Sequence, residues 1–151
     1  RQISTGEYEF LNRPELGDNY LDQELNYYLN FHEWAMEGEA HPVADQAREW
    51  LVANKPVSNQ SSIIWGDSRC ANIMYLPDGE ISAVLDWEMA TLGDPLMDLG
   101  TSLGYWVNPS DPDEMKDLQF SPTHLAGNLT REEIIHQYEL KTGRIMENPV
   151  V

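Results

Sequence analysis

With 151 residues, 41% of them hydrophobic and 23% charged, the chain has the composition of a soluble globular protein with room for one core; two full domains would be a stretch. Nine Lys and Arg against 26 Asp and Glu leave a formal net charge of −17. Such a charge argues against nucleic acid and membrane surfaces as partners, and leaves cationic small molecules, or anionic ones held through metal ions. No apolar run approaches the ~20 residues of a bilayer span, and no signal-peptide core opens the chain. The lone Cys70 argues against a disulfide framework or Cys-based zinc site and points to a reducing, cytoplasmic setting.

Residues 1–20 are polar and irregular, with RPELGDNY reading as loop. A helical part follows over 21–60. Its first helix is expected over about 21–39, with Leu21, Leu25, Tyr28, Leu29 and Trp34 on one face, and its second over 43–54, using Val43, Ala47, Trp50 and Leu51. Residues 61–106 hold the β structure. Short strands are expected at 63–65, 73–76 and 81–85, and PDGE at 77–80 is a turn that makes the last two a hairpin. Asp94 as N-cap and Pro95 as first residue then open a helix. Residues 107–129 read as a long acidic loop, of the length that serves as a lid or stays disordered. Over 130–143 a last helix starts at Thr130, with Glu133 completing a capping box. The abrupt ends, RQISTGEYEF without an initiator Met and RIMENPVV, read as those of a single partial domain, cut from a longer protein.

The chemistry concentrates in IIWGDSRCANIMY and, ten residues later, VLDWEMATLGDP. Asp67 emerges from a strand end after Gly66, Asn72 precedes the next strand, and Asp86 ends the return strand. Three side-chain acceptors thus converge on one hairpin, and hard oxygens of this kind suit Mg²⁺. Asp-x4-Asn followed one hairpin later by Asp is also the layout of a kinase catalytic loop and its metal-binding Asp.

At these residues the sequence resembles the aminoglycoside phosphotransferase family of small-molecule kinases. WGDSRCAN resembles the family's HGDxxxxN brace, LDWE its metal segment, and ATLGDPLMDLG the helix that follows. More narrowly, LDQELNYYLNFHEW, HPVADQAREWL and AVLDWEMATLGDPLMDLG resemble the kinase-like domains related to those fused to acyl-CoA dehydrogenases. The resemblance covers roughly residues 22–143. It implies an α+β, protein-kinase-like C-terminal lobe, mostly helical, with a small central β-hairpin carrying the site. The N-terminal lobe, with its Gly-rich loop, strand Lys and helical Glu, is absent from this chain.

By that resemblance Asp67 is the catalytic base, Asn72 and Asp86 hold Mg²⁺ and the phosphates of ATP, and Asp98 braces the loop by accepting backbone N–H bonds. Glu88 is second-shell or faces the substrate. Trp65 stands where the family usually has His, and reads as an aromatic packing replacement. Arg69, the sole basic residue between Lys55 and Lys116, either neutralises the transferring phosphoryl group or pairs with a carboxylate. The implied function is ATP- and Mg²⁺-dependent phosphoryl transfer to a hydroxyl of a small molecule. The alternative is an inactive kinase-like module that senses nucleotide or binds a partner. Acidity and the aromatics Tyr105 and Trp106 would suit a cationic acceptor; the narrower resemblance implies a hydroxylated acyl or lipid-like one.

Overall fold

The computed structural model describes residues 5–58, 60–118 and 121–146. In chain order the elements are α1 (Tyr20–Met36), α2 (Pro42–Ala53), β1 (Ser62–Ile64), β2 (Ile73–Tyr75), β3 (Ile81–Val84), β4 (Thr91–Gly93), α3 (Leu96–Tyr105), α4 (Asp113–Leu118) and α5 (Arg131–Thr142). Short 3₁₀ turns occupy Thr5–Leu11 and Pro14–Leu16, where sequence suggested plain loop. Among the described residues no helix is long and apolar enough to cross a membrane. The chain divides into two compact units, Arg1–Gly66 with Met89–Met97 and Asp67–Glu88 with Asp98–Val151.

In the first unit, Asn19 caps α1 by accepting from the Asp22 N–H at 3.0 Å, and the helix ends where Glu37 and Gly38 turn to φ 48° and 86°. His41 caps α2, its Nδ1 accepting from the Ala44 N–H, and the Asp45 carboxylate accepts from the His41 N–H in return. Both helices lie close to their expected spans. The residues α1 buries are Gln23 and Glu24, while Trp34 is 72% exposed and Val43 and Trp50 on α2 are exposed as well. On α1, Leu21, Leu25 and Leu29 are partly covered, whereas Val43, Ala47, Trp50 and Leu51 of α2 are all exposed among the described residues. Burial holds the Glu24 carboxyl above its ordinary value, and the charge of Arg13 and a hydrogen bond from Thr91 only partly offset it.

The core of this unit is the antiparallel pair β1–β4, in which Ile63 lies opposite Leu92 and Ile64 opposite Thr91. Ile64 and Leu92 are almost wholly buried, each contributing roughly 1.5–3 kcal/mol by removal from water. Strand β4 was not anticipated. Three residues leave no periodicity to read, and the helix start at Asp94 dominates that stretch. That start is as expected: the Asp94 carboxylate accepts from the Leu96 N–H at 2.9 Å and from the Ser58 hydroxyl.

In the second unit, β2 and β3 form the expected antiparallel hairpin, Ile73 opposite Val84, with a register shift at Met74/Tyr75. Leu99, Val107 and Ile135 form its buried apolar centre. The capping box of α5 closes as read: Thr130 Oγ1 accepts from the Glu133 N–H, and Glu133 Oε2 accepts from the Thr130 N–H at 2.7 Å. The expected long loop instead contains the six-residue helix α4, too short for periodicity to reveal; residues 119–120 lie outside the described residues.

The loop's two ends are pinned. Thr123 Oγ1 accepts from the Val107 N–H at 2.9 Å, the Trp106 indole N–H donates to the Leu129 carbonyl at 2.8 Å, and Arg131 forks onto both carboxylate oxygens of Asp111. The Arg131 bond, with a second from the Asn108 N–H, holds the Asp111 carboxyl below its ordinary value of 3.8. A depressed carboxyl stabilises the fold above the unfolded value and loses that contribution as pH falls through the folded one. Thermal melts should therefore steepen their decline below about pH 4, and Asp111→Asn should flatten that limb. Arg131→Met, which leaves a part-buried carboxylate without its fork, should cost roughly 1.5–3 kcal/mol at neutral pH in a denaturant titration.

Candidate active site

The segment from Asp67 to Asn72 folds on itself before it touches anything else. The Arg69 N–H donates to the Asp67 carbonyl and the Asn72 N–H to the Arg69 carbonyl, each at 3.0 Å. Asn72, 8% exposed, donates its side-chain Nδ2–H to the Asp67 carboxylate Oδ2 at 2.6 Å and to the Asp67 carbonyl at 3.1 Å. With the amide nitrogen committed, Oδ1 of Asn72 is the atom left for a cation. Arg69 Nε lies 3.0 Å from the same Asp67 Oδ2, but its N–H points off that line, so the contact is ionic and not a hydrogen bond. Both contacts fall on Oδ2 of a largely buried carboxylate.

The hairpin supplies the second acidic group. Beyond the Ile73–Val84 pair the Leu85 N–H donates to the Asn72 carbonyl at 2.9 Å, so Asp86 follows directly on the residue tied to Asn72. Asp86 sits at φ 61°. Aspartate tolerates the left-handed region better than most residues, yet holding it there costs free energy and is a feature of functional sites. Among the described residues no three or more His, Cys, Asp or Glu gather as a metal centre. The Asn72 side-chain oxygen and the Asp86 carboxylate are the hard oxygens this stretch offers a cation, a chemistry that fits Mg²⁺ and no thiophilic metal.

The remaining candidates are placed as follows. Trp65 is half-buried directly after β1, in the first unit. Glu88 is exposed at a turn two residues past Asp86. Asp98 lies in the first turn of α3, and its backbone carbonyl accepts from the Ser68 hydroxyl at 2.5 Å. Ser102 Oγ in turn donates to the Ser68 carbonyl at 2.6 Å, and the Arg69 guanidinium stands over the Tyr105 ring, 5.2 Å from its centroid. Of the two readings of Arg69, pairing with a carboxylate is the arrangement present. Ser68 and Ser102 were missed in sequence because lone hydroxyl residues read as loop and helix filler. The available signal was that 98, 102 and 105 share one face of α3.

The model of the phosphotransferase enzyme family matches residues 2–131. Among curated proteins the chain is similar to acyl-CoA dehydrogenase family member 11 of Homo sapiens, 35% identical over 125 residues that cover 82% of this chain and 16% of that protein. It is also similar to acyl-CoA dehydrogenase family member 10 of Mus musculus, 31% identical over 110 residues covering 72% and 10%, and to the probable acyl-CoA dehydrogenase IBR3 of Arabidopsis thaliana, 26% identical over 136 residues covering 83% and 16%. The chain thus spans only a small part of the relatives it matches. With a family model over most of its length and relatives above 30% identity, the chain belongs to the phosphotransferase enzyme family, whose members are kinase-like enzymes.

Proposed function

We propose that this chain is the C-terminal-lobe part of a phosphotransferase that uses ATP and Mg²⁺ to phosphorylate a hydroxyl of a small molecule. The observation that carries this reading is the Asp67–Asn72 bond at 2.6 Å on a loop whose Asn72 carbonyl also receives the residue before Asp86. It joins the proton acceptor to both cation ligands through two hydrogen bonds.

Oδ1 of Asp67 orients the acceptor hydroxyl and takes its proton as the hydroxyl oxygen bonds to the γ-phosphorus and the bond to the bridging oxygen breaks, releasing ADP. Asn72 Oδ1 and the Asp86 carboxylate would hold Mg²⁺, which when bound neutralises the phosphate oxygens of the nucleotide. Arg69, held by Asp67 and Tyr105, adds positive charge beside the base. The names of the relatives refer to acyl-CoA dehydrogenation, so a hydroxylated acyl compound is the acceptor class we favour over a cationic amine.

The intact protein should show a Mg²⁺-dependent thermal shift with ATP, because a ligand at 100 times its Kd stabilises the native state by about 2.7 kcal/mol. Asp86→Asn should abolish the Mg²⁺ dependence of that shift. An intact protein that shows no shift, and consumes no ATP against a panel of hydroxyl compounds, would leave only a binding module.

A further inference from the structure

Three successive anchors join α3 to the catalytic loop, all inside the second unit. Asp98, Ser102 and Tyr105 are spaced i, i+4, i+7, which puts them on one face of the helix. Each grips the loop beside Asp67: the Asp98 carbonyl takes the Ser68 hydroxyl at 2.5 Å, the Ser102 hydroxyl takes the Ser68 carbonyl at 2.6 Å, and the Tyr105 ring underlies Arg69. Ser68 is thereby held at both ends of one residue, side chain and carbonyl, and is only 7% exposed. Its neighbours on either side are the carboxylate of Asp67 and the guanidinium paired with that carboxylate.

We infer that Ser102 and Tyr105 are positioning residues for phosphoryl transfer. They act through Ser68 and Arg69 to hold the Asp67 carboxylate in register with the transferring group. Neither reaches the reacting atoms. Ser102 fixes the peptide that follows Asp67, and so the direction in which its side chain leaves the backbone. Tyr105 fixes the cation that shares Oδ2 with Asn72, and so decides which carboxylate oxygen is turned toward the acceptor. The nucleotide's cation ligands, Asn72 and Asp86, keep the tie that the Leu85 N–H makes to the Asn72 carbonyl, so the defect should fall on turnover and not on nucleotide binding.

This inference rests on the phosphotransferase reading, and the test separates the two. Mg·ATP consumption by the intact protein is measured with water as acceptor, alongside the exchange rates of the backbone N–H groups of Arg69 and Asn72. Ser102→Ala and Tyr105→Leu should each lower kcat roughly tenfold or more, since small misplacements of a catalytic group are costly. KM for Mg·ATP should stay within about twofold, as expected when only a transition-state interaction is lost. Ser102→Thr and Tyr105→Phe should restore most of the loss, because the hydroxyl and the ring are the groups that matter. In Ser102→Ala the Arg69 and Asn72 amides should exchange roughly tenfold faster than in the parent, while those of α5 do not change. Near-parental kcat in both truncations, a KM that rises in step, or no recovery by Thr and Phe would overturn the inference while leaving the parent reaction standing. If Asp67→Ala consumes ATP at the parental rate, the phosphotransferase reading falls instead, and unchanged amide exchange in Ser102→Ala then overturns the anchor as well.

Discussion

Asp67→Ala in the intact protein is expected to lower turnover ~10²-fold or more, the usual contribution of a general base, while Mg·ATP still binds. The separation of effects follows from how Asn72 is held. Its Nδ2 donates both to the Asp67 carboxylate and to the Asp67 carbonyl, and truncating the side chain removes only the first bond. The backbone bond at 3.1 Å remains, and the Leu85 N–H still fixes the Asn72 carbonyl. Asn72 and Asp86 therefore keep their places as the proposed oxygen ligands. A steady-state titration should give a KM for Mg·ATP close to the parent's beside a collapsed kcat, the pattern of an interaction made only in the transition state. Near-normal turnover would mean that Asp67 is not the base.

The second large effect is expected at Gly66. Its φ of 89° is one that L-residues rarely adopt, and a Cβ there would lie 2.5 Å from the Met89 carbonyl oxygen and 2.8 Å from the Met89 Cβ. Backbone on the far side cannot rotate away as a side chain would. Gly66→Ala should thus combine left-handed strain with overpacking and cost about 3 kcal/mol. Gly79, in the hairpin turn, supplies the control: its φ is also 89°, but open space surrounds its Cβ position. Gly79→Ala should carry the strain alone, about 1–2 kcal/mol, and leave the site intact. Denaturant melts of the two variants compare the clash with the strain directly. Gly66→Ala should also depress turnover in whatever fraction stays folded, because the displaced peptide is the one that leads into Asp67. Equal destabilisation of the two variants would refute this account of Gly66.

The features read correctly in sequence were those written in local chemistry. Asn72 and Asp86 could be placed together because a turn signal, PDGE, sat between two apolar runs of matched length. The α5 start could be read because Thr130 and Glu133 stand at capping-box spacing, and that box is present. Strand β4 escaped because its partner, β1, is some thirty residues away and nothing in Thr91–Gly93 announces the pairing. How far the apolar faces of α1 and α2 are covered was not legible, because periodicity reports which side of a helix is apolar, not what covers it. The Ser68–Ser102 tie depends on a hydroxyl meeting a backbone carbonyl across 34 residues, and hydroxyls have too many alternative partners for sequence to choose one. In each of these cases what sequence hid was long-range contact.

The hairpin has a further consequence, for how this site can change over evolution. Asn72 and Asp86 stand at its open end, tied by Leu85, and the turn at its far end is remote from the chemistry. Residues can therefore be added to or removed from the turn end without separating the two oxygens, provided they come in pairs, one per strand. A single inserted residue would slip the register and rotate alternate side chains to the opposite face, unless a bulge absorbs it, as the shift at Met74/Tyr75 already does. Length is the free variable of this hairpin, and parity is the constrained one.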